Sequence, residues 1–153
     1  MNGFPLDTYF YIKNRKNSTV LDVYDGATTE DANIVLWPQK MNDNHNQLWR
    51  YEDGFLLNMK SKLALDVRGG DLKAETHIVQ YGRKITMAHN QRFGYRDGYL
   101  YTLADPRLVF DIKGGSDKDG AKLILNKRRH HSHEDQQWTI EPFDTSSYSN
   151  PYQ

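Results

Sequence analysis

Three kinds of side chain that together suit a pyranose ring recur in this chain at fixed separations. Asp22 is followed by Trp37 and Asn46 at 15 and 24 residues, and Asp66 by Tyr81 and Asn90 at the same 15 and 24. A carboxylate accepts hydrogen bonds from two vicinal hydroxyls, and an aromatic face stacks on the apolar face of a ring. A side-chain amide meets a further hydroxyl. Gln47 and Gln91 directly follow the two asparagines and complete the candidate carbohydrate-binding sets. A third set is damaged: Asp111 is followed by Asn126 where the aromatic should stand and by Asp135 where the amide should stand. That exchange removes the platform and a donor and brings a second carboxylate towards the first, an arrangement that suits water or a cation better than a hexose.

Each of these residues also has a purely structural reading. The three aspartates can be turn residues that accept backbone N–H groups. Trp37 and Tyr81 can be core aromatics, although Asn126 at the matching position would be costly inside a core, so the position is expected to face solvent. Gln47, Gln91 and Gln136, with Trp49, Phe93 and Trp138 two residues on, read as core-filling aromatics and as amides that satisfy buried backbone groups. Val35 and Val79 are apolar.

The string from Lys127 to Asp135 holds three basic residues, His130, His131, His133 and Glu134. Neighbouring residues on one loop rarely converge on a tetrahedral ion, so a solvated loop is expected here, with neither a metal site nor a phosphate site. No nucleophile elbow, phosphate loop, paired catalytic carboxylates or dinucleotide fingerprint occurs. The expectation is therefore a non-enzymatic protein without a cofactor.

The elements that position the sets come from an internal repeat. Leu21-Asp22-Val23 returns as Leu65-Asp66-Val67 and Phe110-Asp111-Ile112, at offsets of 44 and 45. Ile34-Val35-Leu36-Trp37 and Asn46-Gln47-Leu48-Trp49 return at the same offsets, and each Asp lies 25 residues before its Gln. The runs Val20–Val23, Ile34–Trp37 and Gln47–Tyr51 are β-branched or aromatic and read as short strands. Asp53-Gly54 and Asp97-Gly98 are hairpin-turn pairs that join one copy to the next. Three copies of a four-strand unit are too few for a propeller, and an open stack would leave edges unpaired. The expected fold is all-β: one β-trefoil domain over 1–153, with repeats of about 44 residues at 9–53, 54–97 and 98–141 and an extended or frayed tail at 142–153.

Charge adds limits: 20 basic against 20 acidic residues give a net charge of +0, without the field of a dedicated nucleic-acid binder. The chain has no cysteine, its start lacks a signal-peptide pattern, and no run approaches the roughly 18 apolar residues that span a bilayer. These features lead to the expectation of a cytoplasmic protein without membrane insertion, release by a non-standard route being left open. A homodimer is allowed by the sequence and not required by it.

Gln-x-Trp near the end of the repeat, a Leu-Asp-Val segment 25 residues upstream, and Asp66-Val-Arg-Gly69-Gly70 with Asp111-Ile-Lys-Gly114-Gly115 resemble the ricin B-type (R-type) β-trefoil lectins. The resemblance covers most of the chain. It implies glycan partners of the galactose or N-acetylgalactosamine type in a shallow pocket on each lobe, and the residue sets leave such sites complete on two of the three lobes. It also marks Val35 and Val79 as departures, since family members often carry there a polar residue that helps hold the Asp. The alternative reading is a β-trefoil protease inhibitor or other protein-binding trefoil, working through loops such as Thr28–Asn33 and Asn42–His45.

Overall fold

The computed structural model describes residues 3–143; residues 144–153, most of the expected tail, lie outside the described residues. Within them are twelve strands and four 3-10 turns, with no α-helix among the described residues. β1 (Phe10–Asn14) pairs with β12 (Trp138–Pro142) and with β4 (Trp49–Glu52), so first and last strands meet. β4 continues into β5 (Phe55–Asn58), and β8 (Phe93–Arg96) into β9 (Tyr99–Thr102). Three further hairpins form the caps: β2 (Val20–Val23) with β3 (Ile34–Trp37), β6 (Ala64–Val67) with β7 (Thr76–Tyr81), and β10 (Leu108–Ile112) with β11 (Leu123–Lys127). The caps join in a ring through Asn33–Val79, Thr76–Leu125 and Val35–Lys122 pairings. This is a β-trefoil, four strands to each repeat.

The turn chemistry explains the joints between repeats. Asp53 and Gly54 have φ of 50° and 89°, Asp97 and Gly98 53° and 81°, the double left-handed geometry that suits a twisted two-residue hairpin. A Cβ at Gly98 would meet only the movable ends of the Gln137 and Arg15 side chains, so it is the φ of 81° that calls for glycine there.

Trp49, Phe93 and Trp138 are fully buried in the barrel. Trp49 Nε1 donates to the Leu21 carbonyl at 3.1 Å and Trp138 Nε1 to that of Phe110 at 3.3 Å, tying barrel to cap. One expected boundary moves: β4 starts at Trp49, and the residues before it, His45–Gln47, form a 3-10 turn. The local Gln47 N–H to Asn44 carbonyl bond at 2.8 Å takes the backbone away from the sheet ladder.

Both ends of the repeat region are more structured than their composition implies. Phe4 is 6% exposed and stacks on Tyr51 with ring centroids 4.1 Å apart, and also meets Phe10 and Tyr95. Pro142, expected in the tail, pairs with Phe10 inside β12, and Phe143 N–H donates to the Tyr9 carbonyl at 2.9 Å. Burial of one aromatic ring outweighs the freedom of a short arm. Phe4→Ala should cost about 3 kcal/mol of folding free energy, read by urea unfolding; an unchanged midpoint would remove the arm from the core.

Candidate functional site

A strand period of two explains the 15-residue spacing. Asp22 pairs across the cap hairpin with Val35, so Asp22, Val35 and Trp37 share one face; Asp66, Val79 and Tyr81 repeat this, as do Asp111, Ile124 and Asn126. In lobe one, Asp22, Trp37 and Asn46 line a depression of ≈ 310 Å³, and in lobe two Asp66, Tyr81 and Asn90 line one of ≈ 260 Å³. Tyr81 is 43% exposed, and Trp37 and Asn126 are half-buried, so this position is a rim in every lobe.

The glutamines and asparagines do something other than stand ready for a ligand. Gln47 is fully buried; its Nε2 donates to Asp22 Oδ2 at 2.9 Å and to the Pro38 carbonyl at 3.0 Å, and its Oε1 accepts the Lys40 N–H at 2.9 Å. Gln91 repeats all three bonds with Asp66, Gly82 and Lys84. Neither glutamine reaches a surface from which it could touch a sugar, so both are positioning residues. Asn46 and Asn90 are 5% and 1% exposed, and each Nδ2 donates to a backbone carbonyl, Val23 at 3.1 Å and Val67 at 3.0 Å. The expected amide donor is thus largely engaged with the cap, because a buried amide must find a partner. Val35 and Val79 sit buried opposite the aspartates, and the glutamine and asparagine amides supply the hydrogen bonds that a polar residue there would give.

Spacing within the repeat also holds a signal that the Asp, aromatic and Asn sets leave out. A basic residue stands 18 positions after each Asp: Lys40, Lys84 and Arg129. Lys40 and Lys84 line the two depressions, and Lys84 Nζ donates to Asn90 Oδ1 at 2.8 Å. Lys60 adds a second amine to the rim of lobe one, while lobe two is flanked by the Asp31–Arg68 pair at 2.9 Å.

In lobe three the two carboxylates do not leave room for water or a loose cation. Arg129 fills that place: its Nη1 donates to Asp111 Oδ2 at 3.1 Å and its Nη2 bonds Asp135 Oδ1. Asn126 and Gln136 donate to the same Asp111 oxygen at 3.0 and 3.2 Å, and Oδ1 takes the Ile112 N–H at 2.7 Å. Asp111, 2% exposed, thus takes four hydrogen bonds from the chain itself, three of them on the oxygen that faces Arg129. The expected repulsion is replaced by a guanidinium bridge, which a planar five-donor group makes and an amine does not.

The histidine loop is held by Tyr99. His133 stacks on one ring at 6.0 Å, Arg128 lies over the ring at 4.0 Å, and the Tyr99 hydroxyl donates to the Arg129 carbonyl at 2.9 Å. Among the described residues no group of three or more His, Asp or Glu side chains converges as a metal site would require.

With this geometry in place, similarity to known proteins becomes specific. The family model of the ricin-type beta-trefoil lectin domain matches residues 8–138. The chain belongs to that family. Mucoricin of Rhizopus delemar is 54% identical over 48 residues, 31% of this chain and 33% of that protein, so the chain matches about a third of that relative's length. The solution structure of the mdaA-1 domain superposes with a TM-score of 0.82 at 29% identity, over 90% of this lectin-family chain and 91% of that one. The C-half of an earthworm R-type lectin, solved in complex with GalNAc, gives 0.78 at 23% identity, over 89% and 99%, a likeness of fold.

Burial lifts the Asp22 carboxyl above the ordinary aspartate range, and Gln47, Lys40 and Asn46 draw it only partly back. Asp66 is lifted by burial in the same way, against Gln91, Lys84 and Asn90, with Asp31 adding to the rise. An acid whose pKa is higher folded than unfolded stabilises the fold below its unfolded pKa, and that contribution is lost as pH rises through the folded pKa. Asp22→Asn should therefore raise the melting temperature at neutral pH, with the gain fading in acid; a lower melting temperature at neutral pH would contradict it. Arg129→Ala should cost about 2 kcal/mol by leaving Asp111 and Asp135 unpaired, a value reduced by the solvent on one side of the guanidinium. Urea titration reads it.

Proposed function

We propose that this chain binds galactose- or N-acetylgalactosamine-type glycans through the depressions of lobes one and two, and that lobe three is silent. One observation carries the reading. In lobes one and two a buried carboxylate, held by a glutamine and an asparagine amide, lines a depression beside a rim aromatic and a lysine, whereas in lobe three that carboxylate is bridged to Asp135 by Arg129. Vicinal hydroxyls donate to the carboxylate, the ring's apolar face lies on Trp37 or Tyr81, and Lys40 or Lys84 donates to a remaining hydroxyl oxygen. The GalNAc complex of the earthworm lectin supports the same sugar class for a chain of this fold. None of these roles includes bond making or breaking, and no catalytic role is proposed.

Each site is shallow, and each hydrogen bond largely replaces one to water. Free galactose should bind with a dissociation constant on the order of millimolar, about −4 kcal/mol. Engaging both lobes on a branched or clustered glycan adds about 100-fold where the geometry allows. Asp22→Ala and Asp66→Ala should each weaken retention on galactose-agarose, and the double variant should abolish it while remaining folded. Asp111→Ala should leave retention intact and lower only the melting temperature, since its carboxylate serves Arg129. No retention of the wild-type chain on galactose or N-acetylgalactosamine matrices, or retention surviving in the double variant, would sink this assignment.

A further inference from the structure

The threefold repeat creates three equivalent junctions between neighbouring lobes, and polar side chains close two of them. Between lobes one and two, the buried Gln80 accepts from Ser61 Oγ at 2.7 Å and donates to the Ala27 and Thr29 carbonyls at 3.1 and 2.8 Å. Glu30 Oε2 accepts the Gly82 N–H at 2.9 Å across the same seam. Between lobes three and one, Asp117 accepts from Asn17 Nδ2 at 3.3 Å and lies 3.6 Å from Lys16 Nζ. At the junction of lobes two and three the repeat places Leu125 for Gln80, Pro106 for Ser61, Ala74 for Glu30 and Leu72 for Asp117. Each of these four positions carries an apolar side chain; the seam is joined by the β7–β11 ladder and by Lys113 Nζ 3.4 Å from His77 Nε2, and beside them it opens into a groove of ≈ 1010 Å³, against ≈ 310 Å³ for the depression of lobe one.

The groove has an apolar floor and cationic walls. Leu72, Pro106 and Leu108 line it beside Lys73, Arg107 and Lys127, with Arg128 at its edge over Tyr99. Its one carboxylate, Asp105, is already bound by Arg107 through two bonds of 2.9 and 3.0 Å. Lys73 and Lys127 are exposed, and among the described residues no carboxylate pairs with either. The basic string Lys127-Arg128-Arg129 is divided by the fold: Arg129 turns into lobe three, and its two predecessors face the groove. In a chain whose charges cancel, this is a local concentration of positive charge.

We propose that this groove binds an acidic oligosaccharide, with sulfate or carboxylate groups paired to Lys73 and Lys127 and pyranose faces laid on Leu72 and Pro106. A sugar ring supplies an apolar face and peripheral anions together. A peptide would set its backbone amides against a floor that cannot pair them, and a nucleic acid would extend beyond a patch only a few charges wide onto a chain of zero net charge. The site is separate from the depressions of lobes one and two and does not depend on their sugar.

The test is calorimetry on the full chain carrying Asp22→Ala and Asp66→Ala, with a sulfated galacto-oligosaccharide, an oligogalacturonate of equal length and the desulfated parent as probes. Binding of at least one acidic probe, weakened by salt, with none by the neutral parent, is the expected result; which acidic probe binds identifies the anion. Adding Lys73→Glu and Lys127→Glu should weaken it by about tenfold or more without moving the melting temperature. Ala74→Glu, which restores a carboxylate to the seam, should do the same. Equal binding by the neutral parent, no binding by either acidic probe, unchanged affinity in the charge-reversed variants, or equal affinity for a polyglutamate of matched charge would overturn it. Because the galactose sites are removed in this background, their failure and this one are read separately.

Discussion

One buried amide in each repeat sets the geometry of everything around it. The Gln side chain before the barrel tryptophan or phenylalanine donates to an Asp 25 residues earlier and holds a carbonyl nine residues back. It also accepts the backbone N–H seven residues back, the N–H of the basic residue. Carboxylate and cation are thus fixed by the two ends of a single planar group. An amide does this well because it has donors at one end and an acceptor at the other, all satisfied without water. The cap hairpin, the loop beneath it and the 3-10 turn are tied together through that group.

On this common frame the three lobes diverge through a few side chains. Where the cation is lysine and the rim residue aromatic, the Asp is held by two neutral amides and faces an open depression. Where the cation is arginine and the amide has become Asp135, the guanidinium joins two carboxylates and the site becomes a structural clamp. Two neighbouring carboxylates and one arginine settle each other's charge, and nothing is left for a hydroxyl to bind. The raised carboxyls of Asp22 and Asp66 show the opposite condition, since their burial is offset only in part by neutral amides and a lysine.

The seams between lobes follow the same logic at larger scale. Gln80 and Glu30 close one seam and Asp117 another, while at the last seam leucine, proline and alanine stand in those places and the β7–β11 ladder carries the joint. A repeat fold tolerates this because each seam is sealed locally; loss of polar ties at one does not disturb the hydrogen-bonded ring of caps.

Much of this was legible in the sequence. The offsets of 44 and 45, the Asp-Gly turns and the alternating apolar runs fixed a threefold β-structure, because period and turn chemistry are local properties of the chain. The Asp and aromatic of each candidate site were legible too, since a strand period of two places them on one face. Lys40, Lys84 and Arg129 stand in the sequence at an equally regular spacing, yet their significance depends on which way a long side chain turns, and that is decided by the Gln that holds their backbone. Asn46 and Asn90 read as ligand donors from type and spacing alone; only packing shows their amides committed to Val23 and Val67. Phe4 lies before the first repeat, outside its pattern, and only the fold shows that Phe10 and Tyr51 of the first repeat and Tyr95 of the second form the surface it packs on. The sequence determined the repeated frame and its candidate groups, while tertiary packing decided which polar atoms were already satisfied and which remained for another molecule.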